Sequence, residues 1–111
     1  MKLLISAAGE NIESNIDITF HWASCFLIID TLNNSLKSLE NTIKNHPSKV
    51  GEPIDRLVKN ERKEAVITYV IGSRVFEEFK KHGIKIYKGK GNIDEAIKQF
   101  EKGELSEIKN V

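Results

Sequence analysis

The stretch from Glu64 to Lys90, EAVITYVIGSRVFEEFKKHGIKIYKGK, limits the fold more than any other part of the chain. Ala65 to Ile71 is a short, nearly unbroken apolar run rich in β-branched residues, as in a strand covered on both faces. Gly72-Ser73 breaks the run. Val75, Phe76 and Phe79 then recur at helical spacing, with Glu77, Glu78, Lys80 and Lys81 on the outer side. Gly83 suits the position just past a helix end, where the backbone turns left-handed without a Cβ penalty. Ile84, Ile86 and Lys88 share one side of a second strand, and Lys85 and Tyr87 the other. A helix crossing between two strands of one sheet requires those strands to be parallel. Any site has to be built on this βαβ unit.

The rest of the chain adds a hairpin and two more helices. Lys2 to Ala7 reads as a strand, followed by a polar connection through Asn11 to Asp17. Ala23 to Thr31 is a strand with Cys25, Leu27 and Ile29 on one face and Phe26 and Ile28 on the other. Leu32-Asn33-Asn34 turns the chain, because Asn tolerates positive φ, and Ser35 to Thr42 returns as an edge strand with weak apolar alternation. Asn45 to Gly51 reads as a loop carrying His46 and Pro47. Val50, Ile54, Leu57 and Val58 then mark a helix from near Pro53 to about Glu61. Asn92, with Glu95 three residues on, opens a last helix whose buried stripe is Ala96, Ile97 and Phe100, and Gly103 stops it. Residues 105–111 read as a loose tail. The expected architecture is a single α/β domain over residues 1–111, a three-layer α/β/α sandwich with a mixed five-stranded sheet and three helices.

Composition narrows the function. A net charge of +1 offers no large field for phosphates, and the lysines are interspersed with glutamates in the manner of solvated helix faces, so nucleic acid is not an expected partner. One cysteine excludes an internal disulfide and favours a reducing compartment. No apolar run approaches the ~20 residues of a membrane helix, and the first residues make too short a run for a secretory signal. A cytoplasmic protein, not associated with membrane, is expected.

Ser14, Phe20, Ala23, Phe26 and Asp30, in this order and spacing, resemble a signature of the dinitrogenase iron-molybdenum cofactor biosynthesis family, in which a Ser precedes a His-Phe-Gly-Arg-Ala segment running into a strand that ends in Asp. Asn45 with Pro47 matches an Asn-Pro-like loop with a shift of one. Ile71-Gly72, Gly83-Ile84-Lys85-Ile86-Tyr87, Gly89-Lys90-Gly91-Asn92 and Gly103-Glu104-Leu105 match later motifs. The chain departs from the pattern with Thr19, His21 and Trp22, where the family often has His, Gly and Arg. The resemblance implies a ribonuclease-H-like fold and a domain that holds or carries iron-sulfur or iron-molybdenum cluster precursors.

The candidate chemistry sits beside simpler readings. His21, Cys25 and His46 are the soft and imidazole groups that could converge on a metal. A lone cysteine is also a common small core residue, and either histidine can serve a loop. A stable iron-sulfur cluster generally takes four cysteine ligands, so the expectation is a carrier of a prebuilt cluster, without catalysis, and not a permanent site. The alternative is a module binding an anionic metabolite or nucleotide at Gly72-Ser73 and at Gly89, Gly91 and Asn92, two turns that follow parallel strands and open helices. Trp22 is the candidate for ligand stacking or for a protein or homodimer contact. Nuclease chemistry is not expected: it needs clustered carboxylates, and Leu3 to Ala7 has none.

Overall fold

Alternation along the first strand sets the architecture. In β1 (Lys2–Ala7) Leu4 turns to one side of the sheet, while Leu3, Ile5 and Ala7 turn to the other. The computed structural model, which describes residues 1–45, 51–60 and 63–111, carries this alternation through the neighbouring strands and builds two apolar clusters, one on each face. β2 (Cys25–Asp30) divides as expected, Phe26 and Ile28 against Cys25, Leu27 and Ile29. β3 (Ser35–Glu40) is the exposed return strand, reached through a turn in which Asn34 has φ +57°.

Beyond residues 46–50 comes α1 (Gly51–Asn60), with Pro53 in its first turn, where its missing N–H costs nothing. Ile54, Leu57 and Val58 of α1 join Val75, Phe76 and Phe79 of α2 (Ser73–Lys81) on the Leu4 side. At the far end of α2, His82 Nε2 meets Asp55 Oδ1 at 2.7 Å, which ties the two helices together. α3 (Ile93–Glu101) covers the opposite face with Ile93, Ala96 and Ile97. The helices therefore form outer layers around the sheet, two on one side and one on the other. Gly83 at φ +71° ends α2 as the sequence implies. Its N–H donates to the Lys80 carbonyl at 3.0 Å and that of Ile84 to Phe79 at 3.1 Å, closing the last orphan carbonyls.

The sheet runs β3-β2-β1-β4-β5-β6. β4 (Ala65–Thr68) lies parallel to β1, with Leu4 opposite Val66, and β5 (Lys85–Lys88) lies parallel to β4, with Val66 opposite Ile86. β2 is antiparallel to β1 and to β3, so the sheet is mixed.

Two expectations need correction. The sheet has six strands, not five: the segment read as a loose tail supplies β6 (Ser106–Ile108), antiparallel to β5 with Ile108 opposite Ile86. The outer edge of β5 exposes unpaired amides and carbonyls, and three residues anchored by Ile108 and Leu105, one on each apolar cluster, are enough to cover it. β4 stops at Thr68 and not at Ile71, because Val70 leaves the sheet to bond the connection after β1. Its N–H donates to Ile18 and its carbonyl accepts from Phe20. His46, Pro47, Val50 and Glu61 lie outside the described residues.

Candidate functional site

The topology collects the candidate residues at one rim. The C-terminal ends of the parallel strands, Ala7, Thr68 and Lys88, lie at the same edge of the sheet as the start of β2 at Cys25 and the end of β3 at Glu40. His21, Trp22, Cys25, Gly72, Ser73, Gly89, Gly91 and Asn92 all follow or precede those ends. The connection 8–24 runs across this rim and is bonded along its length. Asp17 N–H donates to the Ser6 carbonyl at 2.9 Å, and the Ser6 hydroxyl donates to the Asp17 carbonyl at 2.8 Å while meeting Thr68 Oγ1 at 2.7 Å. Ile16 N–H donates to the Gly91 carbonyl at 2.7 Å, and Phe20 N–H to Val70 at 2.9 Å. The rim is therefore a layered edge, with the 8–24 connection laid over the strand ends.

Cys25 is enclosed. Only 8% of it is exposed, and it packs in the α3-side cluster with Ala7, Ile16 and Leu27. Its Sγ donates to the Gly9 carbonyl at 3.4 Å. Burial pushes the thiol above its ordinary value. A hydrogen bond from Ser38 works against this, and the carboxylates of Glu10 and Asp17 add to the rise. The thiolate that a metal or electrophile would need is thus disfavoured. Gly9 is held close by the same packing: a Cβ there would stand 2.5 Å from Ser14 Oγ.

His21 and Trp22 occupy the tight turn closed by Ala23 N–H on the Phe20 carbonyl. Phe20 is the anchor, fully buried against Phe26 and Phe79, which leaves the next two side chains to point away from the core. The Asn41 amide nitrogen fixes the turn by donating to the carbonyls of His21 at 3.0 Å and Ala23 at 2.9 Å. The His21 ring leans on the Trp22 indole at 4.8 Å between centroids, and Trp22 is 60% exposed. Burial holds the imidazole below its ordinary value, so it is neutral at pH 7. Its Nε2 is enclosed and has no hydrogen-bond partner among the described residues. Among the described residues no three His, Cys, Asp or Glu side chains gather in a way that could hold a metal ion. The convergence of His21, Cys25 and His46 expected from the sequence is thus not assembled within the described part of the chain, and His46 lies outside it.

The two glycine turns differ. After β5, the amides at the start of α3 are already spent: Ile93 N–H donates to Ser14, Asp94 to Ile12 and Glu95 to Asn92 Oδ1 at 3.1 Å. Asn92 also donates its Nδ2 to the Glu13 carbonyl, and Asp94 and Glu95 put negative charge on the first turn. The Ile93, Asp94 and Glu95 amides of that turn are thus bonded within the chain. Gly89 is required by close approach, since a Cβ would meet Ile67 Cγ2 at 2.6 Å and Ile16 Cδ1 at 3.1 Å. After β4, by contrast, Gly72 caps α2 with no side-chain bond, no acid follows in the first turn, and the space beside its Cα is open.

Sequence reasoning passed over Tyr69, Lys88 and Lys90. The ammonium groups of Lys88 and Lys90 lie 4.7 and 5.7 Å from the Tyr69 ring centroid. The signal was Lys88-x-Lys90 at a strand end, but the register that sets it beside Tyr69 exists only in the sheet.

Comparison with known proteins bears on the family and the fold. A family model described as dinitrogenase iron-molybdenum cofactor matches residues 1–103. An uncharacterised protein of Methanocaldococcus jannaschii is 34% identical over 94 residues, which is 79% of this chain and 80% of that protein. Among solved structures, a Thermotoga protein described as NifB-like and of the DUF35 family superposes with a TM-score of 0.85 at 29% identity, covering 99% of this chain and 95% of the other. The apo form of the orange protein from Desulfovibrio gigas superposes with a TM-score of 0.86 at 17% identity, covering 98% and 93%, a likeness of fold.

Proposed function

The chain belongs to the dinitrogenase iron-molybdenum cofactor family, and from that premise we propose that it is a non-enzymatic carrier that takes an already assembled iron-sulfur or iron-molybdenum cluster precursor as cargo at the His21 turn. The observation that carries this reading is the imidazole of His21, whose Nε2 is enclosed and has no hydrogen-bond partner among the described residues, beside an exposed indole. A buried polar nitrogen left without a partner is costly, and a metal atom of the cargo would relieve that cost. The donor set suits cargo better than residence. One thiol in the whole chain cannot complete a four-thiolate site, whereas a prebuilt cluster needs only one or two protein ligands. His21 leads because burial favours its neutral, ligating form, whereas burial holds the Cys25 thiol protonated; His46 is the candidate second ligand.

The same reading keeps the domain out of hydrolysis. The three antiparallel strands followed by two parallel ones support the ribonuclease-H-like architecture implied by the family, yet β1 carries no carboxylate to hold catalytic ions. No helix among the described residues is long and apolar enough to cross a membrane, and the unpaired cysteine suits a reducing cytoplasm.

The test is anaerobic incubation with iron and sulfide, with and without tetrathiomolybdate, read by visible absorption after desalting. The wild type is expected to retain a chromophore, His21→Ala to lose most of it, and Cys25→Ala to keep it. A wild type that retains nothing, or a His21→Ala protein that retains as much as the wild type, refutes the carrier site.

A second reading rests on the open turn at Gly72-Ser73, where α2 starts without a side-chain cap and without an acid in its first turn. An anionic metabolite or nucleotide bound there at 100 times its dissociation constant would add about 2.7 kcal/mol of stability, visible as a thermal shift in a screen of such compounds.

A further inference from the structure

Three exposed apolar residues lie on the segments at and beside the carrier turn. Ile18 is 53% exposed, Trp22 60% and Val70 47%, and the backbone brings them together: Val70 N–H donates to the Ile18 carbonyl at 2.7 Å, and Phe20, two residues before Trp22, donates to the Val70 carbonyl. The exposure follows from the chain path. Ile71 takes the inward position of its segment, so its neighbour Val70 is turned outward. Along one side of this patch lie Tyr69 and the two ammonium groups drawn to its ring, Lys88 and Lys90. Neither lysine forms an ion pair among the described residues. Beside them opens a cavity of about 240 Å³ whose lining includes Tyr69, Val70, Lys88, Ile108 and Val111.

Two like charges held over one ring, next to exposed aliphatic and indole surface, are complementary to a surface with the reverse charge and its own apolar anchors. We propose that Ile18, Trp22, Tyr69, Val70, Lys88 and Lys90 form a docking surface for a partner protein that presents an acidic segment with apolar anchors. Trp22 is the central anchor, since a large exposed indole is the residue type that most often dominates an interface, and the lysines set the orientation and the rate of encounter. The surface adjoins His21, so a docked partner would stand over the turn assigned above to cargo. The docking proposal holds on the cargo-free chain and does not depend on that assignment.

The test uses the full, cargo-free chain and a synthetic peptide rich in glutamate with spaced leucine and phenylalanine, compared with the same peptide carrying glutamine or lysine in place of glutamate. Amide shifts recorded by NMR are expected to move at Ile18, Trp22, Tyr69, Val70, Lys88 and Lys90 with the glutamate peptide, and the affinity is expected to fall steeply with salt. Trp22→Ala and the double change Lys88→Glu, Lys90→Glu should each weaken binding about tenfold or more. All three side chains are exposed, so well-dispersed spectra of the variants will show that the fold is kept. Shifts centred elsewhere, equal binding of the lysine peptide, or affinity unchanged in the variants overturns the proposal. So does a concentration-dependent dimer in sedimentation that disappears in Trp22→Ala, which would give the face to a second copy of the chain.

Discussion

The turns after β4 and β5 look alike in sequence and differ in what they leave available. Each follows a parallel strand, contains glycine and opens a helix. At the β5 turn the connection 8–24 lies on the helix start, Ser14, Ile12 and Asn92 accept its amides, and Gly89 is wedged against Ile67 and Ile16. At the β4 turn the same connection pairs one step earlier, at Val70, and stops short of Gly72, whose helix start has no side-chain cap. One turn is a structural joint and the other is an open end. A glycine turn at the carboxyl edge of a sheet is therefore not by itself a binding site; what matters is whether another segment has already taken its amides.

The sharpest way to break that contrast is to add one methyl group to each turn. Gly89→Ala is expected to destabilise the domain by about 1–3 kcal/mol, the usual cost of overpacking, because the new Cβ overlaps Ile67. Gly72→Ala should stay within about 0.5 kcal/mol of the parent or gain slightly, since nothing stands within 4 Å and φ is −74°. Urea denaturation of the two variants checks both, and equal losses would erase the distinction. Next in size, Asn92→Ala removes the α3 cap and the bond to Glu13, with an expected loss of about 1 kcal/mol, while Ser73→Ala at the uncapped turn should cost little. The smallest effect is a pH dependence at the His21 turn. Its folded-state pKa is lowered by burial from 6.5, so the unfolded chain binds the proton more readily. The contribution is fully present above about pH 6.5 and is lost as pH falls through the lowered folded value. His21→Gln should flatten that part of a stability profile measured between neutral and mildly acidic pH.

Much of the fold was legible because it depends on local periodicity. The division of Cys25, Leu27 and Ile29 from Phe26 and Ile28 is fixed by the two-residue repeat of a strand, and the stripe at Val75, Phe76 and Phe79 by the helical one. Gly83 and Asn92 announce helix ends through their own backbone and side-chain chemistry. The last strand was not legible: Ser106, Glu107 and Ile108 have no strand pattern of their own and become β6 only because β5 has an edge to cover. The site was legible at the level of its rim, and not in its details. The aromatic and imidazole pair at Trp22 and His21 marked a special turn, and the strand repeat set Cys25 on the face of Leu27 and Ile29, whereas the charge cluster on Tyr69 left no local sign.

The sequence by itself determined which residues face inward, where the helices stop and which strand ends must share an edge, since each follows from neighbours a few positions apart. Only the tertiary structure decided that the thiol is sealed while an imidazole nitrogen is left unbonded, and that one glycine turn is filled while its counterpart stays open. Those outcomes depend on where the 8–24 connection lies across the sheet edge, and it is held there by hydrogen bonds to residues fifty or more positions away at Val70 and Gly91.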